Sequence, residues 1–161
     1  MKNIIKIGFG GGCHWCTEAV FQVLKGVEKV EQGYISTGND PETFYEGVIV
    51  HYDSKKINLE VLIRIHLRTH KSNSEHSMRS KYLSAIYYFD NKLHSEAEKI
   101  LTHLSEQKIE FITRLIPFGE FKTSREQIRN YYKTDPERPF CRRYIDPKLK
   151  IIQNDFVNYL K

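Results

Sequence analysis

Chemistry in this chain is concentrated at Gly10-Gly11-Gly12-Cys13-His14-Trp15-Cys16, which holds two of only three cysteines. Glycines let the backbone take up positive φ and approach a ligand closely. A helix beginning at Cys13 would turn its unpaired N–H groups and partial positive charge toward the sulfur. Both favour the thiolate: at such a position the pKa falls below the free value of about 8.5, and the thiolate is the nucleophile. The same residues also admit a buried, inert cysteine beside a structural glycine turn. An odd number of cysteines argues against a secreted disulfide framework and for thiol chemistry in a reducing compartment.

The elements that would position Cys13 are legible around it. Ile4, Ile5, Ile7 and Phe9 form a β-rich run ending at the glycines; Cys16, Ala19, Val20 and Val23 then recur at helical spacing until Gly26. The unit is strand, glycine turn, helix. Further strands are expected over Val27 to Tyr34, Val48 to Tyr52, Tyr82 to Phe89, and Phe111 to Ile116, the last ended by Pro117. Thr37 to Thr43 reads as a loop, as does the polar stretch Thr69 to Lys81. Leu59, Leu62, Ile63 and His66 share one helical face, and Leu93, Ala97, Ile100, Leu101 and Leu104 another. Ser124 is placed to N-cap a helix through Tyr131 and Tyr132, and a last helix is expected from Lys148 to Leu160. Alternating strands and helices with short early connections predict an α+β fold: a two-layer sandwich of helices on a mixed β-sheet with a ferredoxin-like core. Residues 1–161 are expected to form one domain, with 134–161 as a C-terminal tail and helix.

A chain of 161 residues with 40% hydrophobic composition is long enough for one ordinary core. The net charge of +5 is spread among interleaved acids, so the clustered basic face that nucleic-acid binding needs is missing, and Arg64 to Lys71 and Arg138 to Arg143 read as solvated surface. Met1 to Gly12 reads as a strand and not as a leader, and no apolar run approaches the ~20 residues that span a bilayer. A cytoplasmic monomer is expected. His66 and His70, spaced i, i+4, are of a type and spacing that could share zinc, but no nearby cysteine or acid pair completes a site, and surface histidines are the reading; no metal and no bound cofactor are expected.

Gly12-Cys13-His14-Trp15-Cys16-Thr17-Glu18 resembles the Gly-Cys-Phe-Trp-Cys-x-Glu signature of the A-class peptide methionine sulfoxide reductases. The resemblance continues through Val27 to Gly33, Glu46 to Asp53, Tyr82 to Tyr87, Ile112 to Phe121, Tyr131-Tyr132-Lys133 and Phe140-Cys141-Arg142, covering almost the whole chain in order. It implies that Cys13 attacks the sulfoxide sulfur and becomes a sulfenic acid, that Glu46 protonates the departing oxygen, and that Tyr82 donates a hydrogen bond to it. Glu46 would need its pKa raised by desolvation to serve at neutral pH. Trp15 matches the aromatic that packs against the substrate methyl. The family then resolves the sulfenic acid with a second cysteine and recycles the disulfide with thioredoxin. Cys141 is favoured for that step, with Cys16 as the alternative, because the second signature cysteine is a bystander in much of the family. Oxidised proteins or free methionine-S-sulfoxide are the implied substrates.

The chain departs from that pattern in three places. His14 stands where phenylalanine helps build the methyl pocket. The short stretch from Pro41 to Glu46 omits the family's second substrate-facing tyrosine, leaving Tyr45 as the replacement to consider. Ser77 aligns with an aspartate that holds the substrate backbone, Glu75 being the nearest acid. These changes bear on substrate recognition more than on the chemical step, and a divergent member that binds ligand with little turnover is the second reading. A thioredoxin-like disulfide oxidoreductase would also explain C-x-x-C at a helix start, but that fold needs a proline just before a later strand, and Pro117 follows one instead.

Overall fold

The computed structural model describes residues 2–70 and 83–161. Its elements are β1 (Ile4–Gly10), α1 (His14–Gln22), β2 (Val27–Thr37), β3 (Asp40–Asp53), α2 (Leu59–Arg68), β4 (Ala85–Tyr88), α3 (Asn91–Glu106), β5 (Arg114–Thr123), α4 (Tyr131–Thr134) and α5 (Asp146–Asp155). Tyr82, Ser77 and Glu75 lie outside the described residues, as does most of the expected loop from Thr69 to Lys81.

The sheet overturns the expected ferredoxin-like sandwich. It is mixed, but it closes into a barrel in the order β1-β3-β2-β5-β4. β4 runs parallel to β5 and antiparallel to β1, with Gly8 opposite Tyr87 and Gly10 opposite Ala85, so the two edges of an open sheet are joined. Closure is possible because the inward face is built from very small residues. Gly10, Gly47 and Gly33 are register partners across β1, β3 and β2. A Cβ on Gly33 would lie 2.2 Å from the Lys122 carbonyl oxygen, and one on Gly47 2.9 Å from Ile35 Cδ1. Ile35, Ile49, Ala85, Tyr87 and Ile116 fill the remaining interior.

The outward face of β1 and β3 carries Ile7, Phe9, Val48, Val50 and Tyr52 into a larger core with the helices. Phe9 and Phe21 stack there with centroids 4.6 Å apart. α2 and α3 are stopped at their N-termini by Asn58 and Asp90, whose side chains accept from Val61 N at 2.9 Å and Leu93 N at 2.8 Å.

Several expected boundaries move. β3 begins at Asp40, so the expected loop from Thr37 to Thr43 shrinks to a tight turn in which the Thr37 hydroxyl accepts from Asn39 N and Asp40 N. β5 runs straight through Pro117, which sits opposite Tyr88, the last residue of β4, while its carbonyl accepts from Gly38 N. Ser124 caps no helix: its hydroxyl is buried, and the chain breaks into a 3₁₀ turn, Glu126–Ile128, and the short α4. The break is at Asn130, whose left-handed backbone (φ 54°) interrupts the spiral. The final helix starts earlier than expected, at Asp146, after a π-type turn over Cys141–Ile145, and stops at Asp155. The reading of His66 and His70 as surface histidines is corrected: His66 is 2% exposed and packs against Phe9, and His70 is half-buried.

The interior geometry makes a direct prediction. Gly33→Ala forces β2 from β5 and should cost about 1–3 kcal/mol. Gly38→Ala, whose Cβ would meet nothing closer than 3.5 Å, should stay within about 0.5 kcal/mol of wild type. Urea unfolding midpoints compare the two, and equal losses would remove the close-approach account.

Candidate active site

Cys13 is the N-cap of α1, with φ −59° and ψ 130°, and its carbonyl accepts from Cys16 N at 3.0 Å and Thr17 N at 3.1 Å. The preceding turn is held from behind. His66 Nε2 donates to the Gly10 carbonyl at 2.7 Å. Gly11 has φ +141°, and a Cβ there would fall 2.6 Å from the His70 ring, so the position requires glycine twice over. His70 in turn bonds the Ser84 hydroxyl at 2.8 Å, which tethers α2 to the start of β4.

The sulfur of Cys13 is partly exposed and sits among donors. A hydrogen bond from the Cys16 thiol, with help from the N–H groups of Trp15 and Cys16, holds the Cys13 pKa below the ordinary thiol range; burial and the charge of Glu46 act against this. Cys16 pays the converse: donating to Cys13 in a buried setting pushes its own pKa far up. The pairing thus favours the charged form of Cys13 over that of Cys16.

Glu46 comes from β3, on its outward face, and meets the start of α1. It is 4% exposed; Oε1 accepts from His14 N at 3.2 Å and pairs with the His14 ring through Nδ1. His14, also 4% exposed, lies against the Tyr34 ring at 5.3 Å. Tyr34 is the register partner of Glu46 on β2, so both side chains rise on the same face. The Cys13, His14 and Glu46 ligand-type atoms lie within 4.8 Å of one another.

Trp15 forms the other wall. Its ring stacks on Tyr131 at 4.2 Å with planes 8° apart and meets the edge of Phe140 at 5.2 Å. Arg138 covers the Tyr131 ring at 4.1 Å. Tyr131 is set in place by Glu18, a buried carboxylate that accepts from Asn130 N at 2.9 Å, Tyr131 N at 3.2 Å and Gln32 Nε2 at 2.9 Å. Burial raises the Glu18 pKa against the pull of those hydrogen bonds. The reach of Glu18 to α4 is a tertiary contact that local pattern does not show.

Cys141 is fully buried and shares one cluster with Cys16, Ala19 and Ile145, against which Cys13, Tyr132 and Phe140 pack. Burial raises its pKa as well. The structure therefore brings Cys13, Cys16, Cys141, His14, Trp15 and Glu46 together at the start of α1. It does not bring Tyr45 to them. Tyr45 precedes Glu46 on β3 and so faces the other way, lining a cavity with Leu83, Arg114 and Pro117 at one end of the barrel. Tyr34, Tyr131 and Phe140 are the neighbours that sequence reasoning had not assigned to the site.

A profile of the family described as peptide methionine sulfoxide reductase matches residues 5–159. Among relatives, the peptide methionine sulfoxide reductase MsrA of Chromobacterium violaceum is 30% identical, the match covering 94% of this chain and 96% of that protein. The protein of the same name from Acinetobacter baumannii strain AYE is 29% identical over 95% of this chain and 96% of its own. The fold is similar to that of Saccharomyces cerevisiae Mxr1 in reduced form, with a TM-score of 0.73, 21% identity, and coverage of 86% of this chain and 89% of that one. Mxr1 in complex with Trx2 aligns at a TM-score of 0.62 and 21% identity, over 77% and 83% of the two chains. With a cysteine at a glycine turn, a carboxyl beside it and a family match along nearly its whole length, the chain belongs to the peptide methionine sulfoxide reductases.

Proposed function

We propose that this protein reduces the S epimer of methionine sulfoxide, free or within oxidised proteins, as a monomer that needs no bound cofactor and draws its electrons from thioredoxin or a small thiol. The observation that carries the reading is the meeting of a thiolate-favouring Cys13 with the buried carboxyl of Glu46 beside an aromatic wall. Cys13 attacks the sulfoxide sulfur. Glu46 gives the oxygen a proton, the oxygen passes to Cys13 as a sulfenic acid, and methionine leaves as the thioether. Trp15 receives the substrate methyl, an apolar contact worth about 1 to 3 kcal/mol of selectivity. His14 supplies the polar rim of that pocket, and Tyr82 stands as a hydroxyl donor to the sulfoxide oxygen.

The second half-reaction belongs to Cys141. Its sulfur attacks the Cys13 sulfenic sulfur, the S–S bond forms as the S–O bond breaks, and the oxygen leaves as water with the proton given up by the Cys141 thiol. Burial in one cluster with Cys16 and Cys13 supports this assignment. The complex solved for Mxr1 with Trx2 supports a thioredoxin as the dithiol that then reopens the bond. The absence, among the described residues, of any helix long and apolar enough to cross a membrane is compatible with a cytoplasmic enzyme.

Reductant-dependent conversion of both sulfoxide epimers tests the reading. Only the S epimer should be consumed; Cys13→Ser should abolish turnover, and Glu46→Gln should lower kcat/KM by about 10²–10⁴. Consumption of neither epimer by folded wild type would overturn it in favour of a binding protein. Cys141→Ser should lose turnover with thioredoxin while keeping it with a small thiol; the same pattern in Cys16→Ser instead would reassign the resolving role. Alkylation of Cys13 followed against pH should show a midpoint below that of a free thiol. Cys16→Ala removes the donor, so the midpoint should move up and the rate at neutral pH fall; an unmoved midpoint would show that the helix N–H groups suffice.

A further inference from the structure

We infer that Cys13, His14 and Glu46 also form a binding site for a zinc-type divalent cation, which blocks the reductase while it is bound. The donor set is one thiolate sulfur, one imidazole nitrogen and one carboxylate oxygen, each of a type that zinc takes at ~2.0 to 2.3 Å. Tetrahedral geometry at those bond lengths puts ligand atoms about 3.5 Å apart. In the structure the three lie within 4.8 Å of one another. An ion would take the place of the hydrogen bonds that Cys13 receives from Cys16 and Trp15, and the three donors would draw in around it.

Two further observations point to a ligand here. His14 is 4% exposed, yet its Nε2 has no hydrogen-bond partner among the described residues. Cys13 is only partly buried, so an ion has a way in, and three protein ligands would leave a fourth position for water. His14 is the residue that makes the set, for the phenylalanine of the family signature offers no donor. The pair spaced for zinc in the sequence is otherwise engaged. His66 Nε2 serves the Gly10 carbonyl, and both ring nitrogens of His70 are taken by the His66 carbonyl and the Ser84 hydroxyl.

Inhibition follows from the bonds alone. A lone pair of Cys13 held by zinc does not attack sulfur, and a Glu46 oxygen on the metal carries no proton to give. That consequence rests on the proposed reductase activity; the metal site does not. The test therefore reads the two separately, on full-length protein freed of metal by chelator and reduced. Zinc titrated against a chromogenic chelator should bind one ion per chain, and cobalt should give a thiolate-to-metal charge-transfer band in the near ultraviolet. Cys13→Ser should lose the band. His14→Phe and Glu46→Gln should each bind zinc at least tenfold more weakly, with circular dichroism showing that they fold, while Cys141→Ser should bind as wild type does. Wild type that takes up no zinc, or that binds it equally well in all three ligand variants, overturns the site. Metal-free protein that fails to reduce sulfoxide but binds zinc through these residues overturns the proposed function and leaves the site standing.

Discussion

A carboxylate cannot be taken out of water without compensation, and Glu46 is almost wholly out of water. An uncompensated buried charge costs several kcal/mol or is neutralised. Glu46 is accommodated because the first N–H of α1 and the His14 ring both face it. That requirement fixes where α1 begins and how it lies across β3. Once α1 is so placed, Cys13 stands at the helix start, Cys16 stands one turn behind it as donor, and Phe21 is driven onto Phe9 in the core. The Cys13 sulfur and the Glu46 carboxyl are thus neighbours for the same reason that the helix and the barrel are.

A second buried carboxylate organises the other half of the site. Glu18 gathers the N–H groups of Asn130 and Tyr131 together with the Gln32 amide. It does for α4 what a capping side chain does within a helix, but across the molecule. The left-handed turn at Asn130 is the backbone form that lets those two N–H groups converge. Tyr131 is thereby laid flat on Trp15, and Phe140 and Cys141 follow within the same packed segment. The aromatic wall and the buried third cysteine both rest on this contact.

Local chemistry was legible in the chain, and closure of the sheet was not. The strand, glycine turn and helix around Cys13 follow from β-branched residues, three glycines and apolar spacing, and all stand where expected. The pairing of β1 with β4 joins segments distant in sequence, and no local periodicity reports it; only the run of inward glycines hints that strands come close. Pro117 reads as a strand end because it lacks an N–H, but opposite the last residue of β4 the strand runs on past it. Tyr45 and Glu46 show the limit at the site itself. Both stand near the shortened turn, but adjacent strand residues face opposite ways, so Glu46 joins Cys13 and Tyr45 turns to the barrel end. His66 and His70 seemed superficial because a histidine on an apolar face carries no mark of what its ring will meet.

The glycine stripe across β1, β3 and β2 has a bearing on how such a protein diversifies. Tyr87 and Ile35 are pressed against bare backbone in its lumen, so among the described residues a new ligand there would have to displace packed side chains. Selection for altered substrates is therefore channelled to the outer cover, the start of α1 and the segment from Asn130 to Ile145. There a single exchange, such as histidine for the signature phenylalanine, alters the chemistry of the pocket while the chassis beneath is left as it was.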